Sequence, residues 1–82
     1  GTGTYGKSSP NTLRFVFAPK LAIVMAAGAA SMGESTGMVW TGNPTVGTKT
    51  VTADGNSLSW YGNSVANQLN TSGTRYYYTV IG

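Results

Sequence analysis

The run Tyr76-Tyr77-Tyr78-Thr79-Val80-Ile81 constrains the fold more than any other stretch. Tyr, Thr, Val and Ile fit a pleated, half-buried surface better than a helix. Strand geometry sends Tyr76, Tyr78 and Val80 to one face and Tyr77, Thr79 and Ile81 to the other. Neither face is polar, which predicts a strand inside a sheet or between layers, away from a wet edge. The sequence stops one residue later, so the run reads as a terminal strand tied into the core over Thr74–Gly82.

The same period recurs upstream. Thr12–Phe17 alternates Leu13, Phe15 and Phe17 against Arg14 and Val16, and Pro19 then interrupts any ladder because it has no N–H to donate. Lys20–Ala27 divides into Leu21, Ile23 and Met25 on one face and Ala22, Val24 and Ala26 on the other. Its composition would also suit a helix, but its short length, the preceding Pro, and Ile23 and Val24 at its centre predict a strand. The small residues on its second face would let another layer or another chain approach closely. Met38-Val39-Trp40 is a short strand, followed by the turn Gly42-Asn43-Pro44.

Thr48–Ala53 and Asn56–Tyr61 flank Asp54-Gly55, a preferred pair for a type I′ hairpin turn. That turn pairs Ala53 with Asn56, Val51 with Leu58 and Lys49 with Trp60, with the Lys49 stem along the indole. It puts Val51, Leu58 and Trp60 on the core face and leaves Thr50, Thr52, Ser57, Ser59 and Tyr61 as a hydroxyl-rich outer face. Two longer loops remain, Gly28–Gly37 and Gly62–Gly73. In the second, Val65, Ala66 and Leu69 have the spacing of one helical turn, with Leu69 as a plug onto the core. Gly1–Tyr5 is either a short strand or an extended lead-in. Short strands and short connections predict an all-β domain over residues 1–82, a small antiparallel β-sandwich, jelly-roll-like or barrel-like, of about five to seven strands.

Composition narrows the function. Only 9% of the residues are charged, against roughly 25% in typical soluble domains. Polarity comes from Thr, Ser, Asn and Gly. With no Cys and no His, disulfides, thiolate metal sites and the commonest general base are all excluded. Glu34 and Asp54 are the only carboxylates, a poor set for Ca²⁺. A glycosidase would need such a pair within about 5–10 Å, whereas Asp54 reads as a turn residue and Glu34 lies in a Gly-rich loop. No catalytic residue, metal or cofactor is expected. The five cations are scattered along the chain, unlike the basic stripe of a nucleic-acid binder. The longest apolar stretch, Leu21–Ala30, is interrupted by Gly28 and falls short of the ~20 residues of a membrane span, so neither nucleic acid nor membrane insertion is expected.

The aromatic residues are the remaining resource. Most are expected to fill the core or a subunit interface. Trp40 and Tyr61 each end an expected strand beside a polar turn, and Asn43, Asn56 and Asn63 lie in those turns. An aromatic platform with nearby amides can stack on a sugar ring and hydrogen-bond its hydroxyls, so these five are the candidate ligand-binding residues. The doubly apolar last strand and the Ala22, Val24, Ala26 face leave two arrangements open: a C₃ homotrimer in which one face packs the core and the other a symmetry mate, or a monomeric two-layer sandwich with both faces buried internally. Oligomerisation would also serve a small domain without disulfides.

Several strings carry a resemblance. Ser57-Leu58-Ser59-Trp60-Tyr61, then Gln68-Leu69-Asn70-Thr71-Ser72-Gly73, then Tyr76-Tyr77-Tyr78 and Ile81-Gly82 resemble the C-terminal modules of bacteriophage and prophage tail fibre or tail tip proteins. Gly3-Thr4-Tyr5, Phe17-Ala18-Pro19-Lys20 and Ile23-Val24 match the front half of the same layout. About Gly28 to Thr48 no string matches, and a receptor-binding loop would be freest to vary there. The resemblance implies the C-terminal module of a longer fibre protein: extracellular, at the virion's tail tip, often trimeric, non-catalytic, and adhering to a glycan or protein on the bacterial host surface. Two alternatives stand beside it: a module that only trimerises or caps the fibre, and a carbohydrate-binding module of a secreted bacterial protein.

Overall fold

The computed structural model describes residues 1–82. The chain forms seven strands and no helix: β1 (Asn11–Arg14), β2 (Leu21–Ala26), β3 (Gly37–Trp40), β4 (Thr45–Val46), β5 (Lys49–Asp54), β6 (Ser57–Tyr61) and β7 (Tyr76–Ile81). They make two antiparallel sheets, a front sheet ordered β1-β6-β5-β4 and a back sheet ordered β3-β2-β7. The expected small all-β sandwich is therefore the observed architecture. The molecule is 20 Å across its shortest axis, which suits two sheets about 10 Å apart with side chains on both outer faces.

Alternation sorts the core. Ala22, Val24, Met38 and Trp40 point inward from the back sheet, Val51, Leu58 and Trp60 from the front sheet, and Leu69 enters from a loop. Bulky indoles fit because Ala22 beside Trp40 presents only a methyl group. The Ala22, Val24, Ala26 face thus serves the internal layer, and Leu21, Ile23 and Met25 face outward. Leu69 has φ 61°, a left-handed conformation that costs an L-residue about 1–2 kcal/mol. It closes the turn begun by the Gln68 N–H to Ser64 carbonyl bond of 2.9 Å, and full burial of its side chain offsets the strain.

Three sequence expectations need correction. The C-terminal strand is tied to the sheet along its whole length, from Leu21↔Ile81 to Ala26↔Tyr76. It is nevertheless an edge strand, because nothing pairs with it on its other side. Tyr77 is 58% and Ile81 53% exposed, so its outward face is not internal to this chain. The strand expected over Thr12–Phe17 leaves the ladder after Arg14, since the chain must cross there from the front sheet to the back. Phe15 and Phe17 stack on that crossing, centroids 5.4 Å apart.

The β5–β6 hairpin turns on Gly55-Asn56, one residue later than Asp54-Gly55. Asp54 pairs with Ser57, Ala53 with Leu58 and Val51 with Trp60. Gly55 has φ 57° and Asn56 has no positive φ, the pattern of a type II′ turn with Gly first. Moving the turn centre by one residue shifts each partner by two, so every side chain keeps its face. The core and hydroxyl faces therefore stand as expected although the register differs.

Lys49 does not lie opposite Trp60. It pairs with Val46 of β4, and its side chain is 1% exposed. Its ammonium donates to the Glu34 carbonyl at 2.6 Å and to Glu34 Oε1 at 3.3 Å. Glu34 Oε1 also accepts from the Thr48 N–H at 2.7 Å and from the Thr48 hydroxyl. The β2–β3 loop is thereby latched onto the start of β5. The Thr48 hydroxyl and N–H, then the nearby Lys49 charge, hold the Glu34 carboxyl below its ordinary pKa.

Candidate functional site

The outer face of the front sheet is built from every second residue of four strands: Thr12 and Arg14 of β1, Ser57, Ser59 and Tyr61 of β6, Thr50, Thr52 and Asp54 of β5, and Thr45 of β4. Hydroxyls dominate it, and no layer of the protein covers it. At the Tyr61 end the face is not flat. The segment before β1 rises beside Tyr61 and encloses a shallow concavity of ≈ 310 Å³, lined by Lys7, Pro10, Thr50, Thr52, Ser59 and Tyr61, with Trp60 beneath.

Buried amides hold that wall in place. Gln68 is 0% exposed. Its Oε1 accepts from Gly6 N–H at 2.8 Å and Gly62 N–H at 3.1 Å, and its Nε2 donates to Ser9 O at 2.8 Å and Asn11 Oδ1 at 3.1 Å. It therefore grips both ends of the turn closed by Ser9 N–H and Gly6 O, 3.0 Å apart, the turn that carries Lys7. The Gln68 carbonyl also takes the Trp60 indole N–H at 2.9 Å. Two residues on, Asn70 binds the Thr2 N–H at 3.0 Å, the Thr2 hydroxyl at 2.7 Å and the Thr4 carbonyl at 2.9 Å. The leading segment is thus an extended arm clamped by amides and not a strand. No buried side-chain polar atom lacks a partner.

Most of the concavity's polar side chains are uncommitted. Ser59 and Thr12 share a hydroxyl bond of 3.0 Å, but Thr50, Thr52 and Tyr61 make no side-chain hydrogen bond within the protein, and Lys7 makes no ion pair, the one ion pair being Lys49–Glu34. Their donors and acceptors face solvent beside an aromatic ring. That arrangement can hold a small polar ligand by several hydrogen bonds with the ring as a stacking edge.

The five sequence candidates do not converge. Tyr61 lines the concavity. Trp40 is 4% exposed and donates its indole N–H to the Asn43 carbonyl at 2.8 Å, so it is core and offers no stacking platform. Asn43 is exposed on the β3–β4 turn. Asn56 sits at the opposite end of β6 from Tyr61, its carbonyl accepting from Phe15 N–H at 2.8 Å. The Asn63 side chain accepts from Asn67 at 2.9 Å. Tyr61 is joined instead by Thr50, Thr52 and Ser59, legible as a face from the alternation. Lys7 and Pro10 also join it, brought there by an amide 62 positions from Gly6, which local pattern cannot reveal.

A larger cleft of ≈ 390 Å³ opens between β1 and β7, over Leu13, Val24, Trp60 and Leu69. Its polar lining is mostly committed: Asn11 to Gln68 and Leu69, Asn70 to Thr2 and Thr4, and the Tyr76 hydroxyl to Thr71 N–H at 3.0 Å. It is a gap between two sheet edges more than a receptor for polar ligands. No protein-family model matches the chain, and neither does any curated protein or solved structure.

Proposed function

We propose that this chain is a non-catalytic adhesion module from the tip of a phage or phage-derived tail fibre, outside the cell, binding a saccharide of the bacterial surface on the outer face of its front sheet. The observation that carries the reading is the set of uncommitted hydroxyls of Thr50, Thr52 and Tyr61 around one exposed concavity. The resemblance in the Gln68–Gly73 and Tyr76–Gly82 strings supports the setting on a fibre. Tyr61→Ala is expected to weaken binding to surface polysaccharide about tenfold or more through loss of the ring and its hydroxyl. The pair Thr50→Val and Thr52→Val, which keeps shape and removes hydroxyls, should weaken it as well, and Asn43→Ala should not. Isothermal titration with polysaccharide from a bound strain checks this. Wild-type affinity in both the Tyr61 and the Thr variants would sink the reading.

A second reading, a module that trimerises the fibre, has its own observation. The outer face of the back sheet presents Ile23, Val39, Tyr77 and Ile81 exposed, with no charge among the outward residues of β2, β3 and β7. Contiguous apolar surface of this kind marks interaction sites. The two outer faces look in opposite directions. A homotrimer packed on its back sheets would therefore present its front sheets outward, and the two readings are compatible. Light scattering should then give three times the 8.5 kDa chain mass, and a mass of one chain in a folded sample removes the trimer.

A further inference from the structure

Resting on the adhesion reading, we infer that the concavity beside Tyr61 selects a carboxylate-bearing saccharide over a neutral one, with Lys7 as the group that recognises the charge. Lys7 is the only charged side chain lining the concavity. Neither carboxylate of the chain opposes it. Glu34 is held by Thr48 and Lys49. Asp54 lies at the other end of the same face, where Asp54 and Arg14 flank Ser57 from its two sides. From the Ser57 end of β6 to Tyr61 is about 13 Å at the usual rise per strand residue, beyond the ~8–10 Å over which exposed charges act at physiological salt. One end of the face is therefore balanced, and the Tyr61 end is positive.

The ligand class follows from the count and kind of groups. One ammonium beside three hydroxyls and a ring matches a singly charged carboxylate on a hydroxyl-bearing ring. A phosphate more often draws an Arg fork or a row of backbone N–H groups, and neither lines the concavity. The turn that carries Lys7 is gripped at Gly6 and Ser9 by the Gln68 amide, so the backbone at the base of the side chain is held beside the concavity.

The test is titration of the folded chain with an oligouronate and with the same oligosaccharide after carboxyl reduction, for wild type, Lys7→Ala, Lys7→Arg and Tyr61→Ala. Wild type should bind the acidic form about two- to fivefold tighter, a preference typical of one exposed charge contact, and the preference should shrink as ionic strength rises. Lys7→Ala should abolish the preference by weakening the acidic form more than the reduced form, and Lys7→Arg should retain it. Equal binding of both forms by wild type, each weakened by Tyr61→Ala, overturns the inference and leaves the adhesion face standing. Binding of neither form, or binding that Tyr61→Ala does not weaken, overturns both. Because Lys7 is exposed and makes no ion pair, its variants should keep the wild-type melting temperature, and a Lys7→Ala that melts with wild type yet keeps the preference also overturns the inference.

Discussion

Gln68→Ala is expected to lower the stability of the fold by about 3–5 kcal/mol, the largest effect of any polar substitution in the chain. The amide is 0% exposed and makes four side-chain hydrogen bonds, to Gly6 N, Gly62 N, Ser9 O and Asn11 Oδ1. Removing it orphans two backbone donors and two acceptors at once, and each buried orphan costs roughly 1–3 kcal/mol unless water reaches it. For a domain of this size that corresponds to a fall in Tm of roughly 15–30 °C. Thermal and urea unfolding give the total. Hydrogen exchange gives the mechanism, since the Gly6 and Gly62 amides should lose protection first. Asn67→Ala one position away removes only the exposed bond to Asn63 and should change stability by less than about 0.5 kcal/mol. Equal behaviour of the two variants would show that the Gln68 clamp does not hold the arm.

Glu34→Ala is the second large effect, at about 2–4 kcal/mol. Breaking a buried ion pair from one side costs about 3–5 kcal/mol, because the other charge stays behind uncompensated. Here the figure is trimmed because the Glu34 side chain is itself 41% exposed, whereas Lys49 is 1% exposed. In the variant the Lys49 ammonium keeps only the carbonyl of residue 34. Lys49→Met should cost far less, about 1 kcal/mol, since it fills the same space and leaves no buried charge. A Lys49→Met variant less stable than Glu34→Ala would mean that packing, and not charge, governs the latch. The pH dependence has a fixed sign. The folded Glu34 pKa lies below its ordinary value of 4.5, so the unfolded chain binds the proton more readily. The stabilisation is complete above that ordinary value and is lost as pH falls through the depressed folded value. Glu34→Gln should flatten this acid limb in a plot of stability against pH.

These two residues mark the limit of what the sequence reveals. Alternation correctly placed Val51, Leu58 and Trp60 inward and Thr50, Thr52, Ser59 and Tyr61 outward, because period-two pattern encodes faces directly. It could not fix the register, since Asp54-Gly55 and Gly55-Asn56 are both good turn pairs and either gives the same faces. It misplaced β7, because an apolar strand reads alike whether a strand or open space lies beside it. Leu69 was legible as a plug, its neighbour Gln68 was not. A polar residue in a polar loop gives no sign that its amide will be buried against Gly6 and Ser9, dozens of positions away. Lys49 fell on the inward face by parity, but its partner sits in a loop whose path no local rule predicts. Trp40 was misread for a related reason: the end of a strand beside a turn can still be core, here because the Asn43 carbonyl satisfies its indole.

The most direct test of the central claim is to map which face meets the ligand. An isotope-labelled sample would be titrated with fragments of surface polysaccharide while amide chemical shifts are followed residue by residue. The adhesion account predicts saturable shifts clustered at Lys7, Thr50, Thr52, Ser59 and Tyr61, with β2 and β7 unmoved. Shifts confined to Ile23, Val39 and Tyr76–Ile81, with the front sheet silent, would contradict it and place recognition on the opposite side of the sandwich.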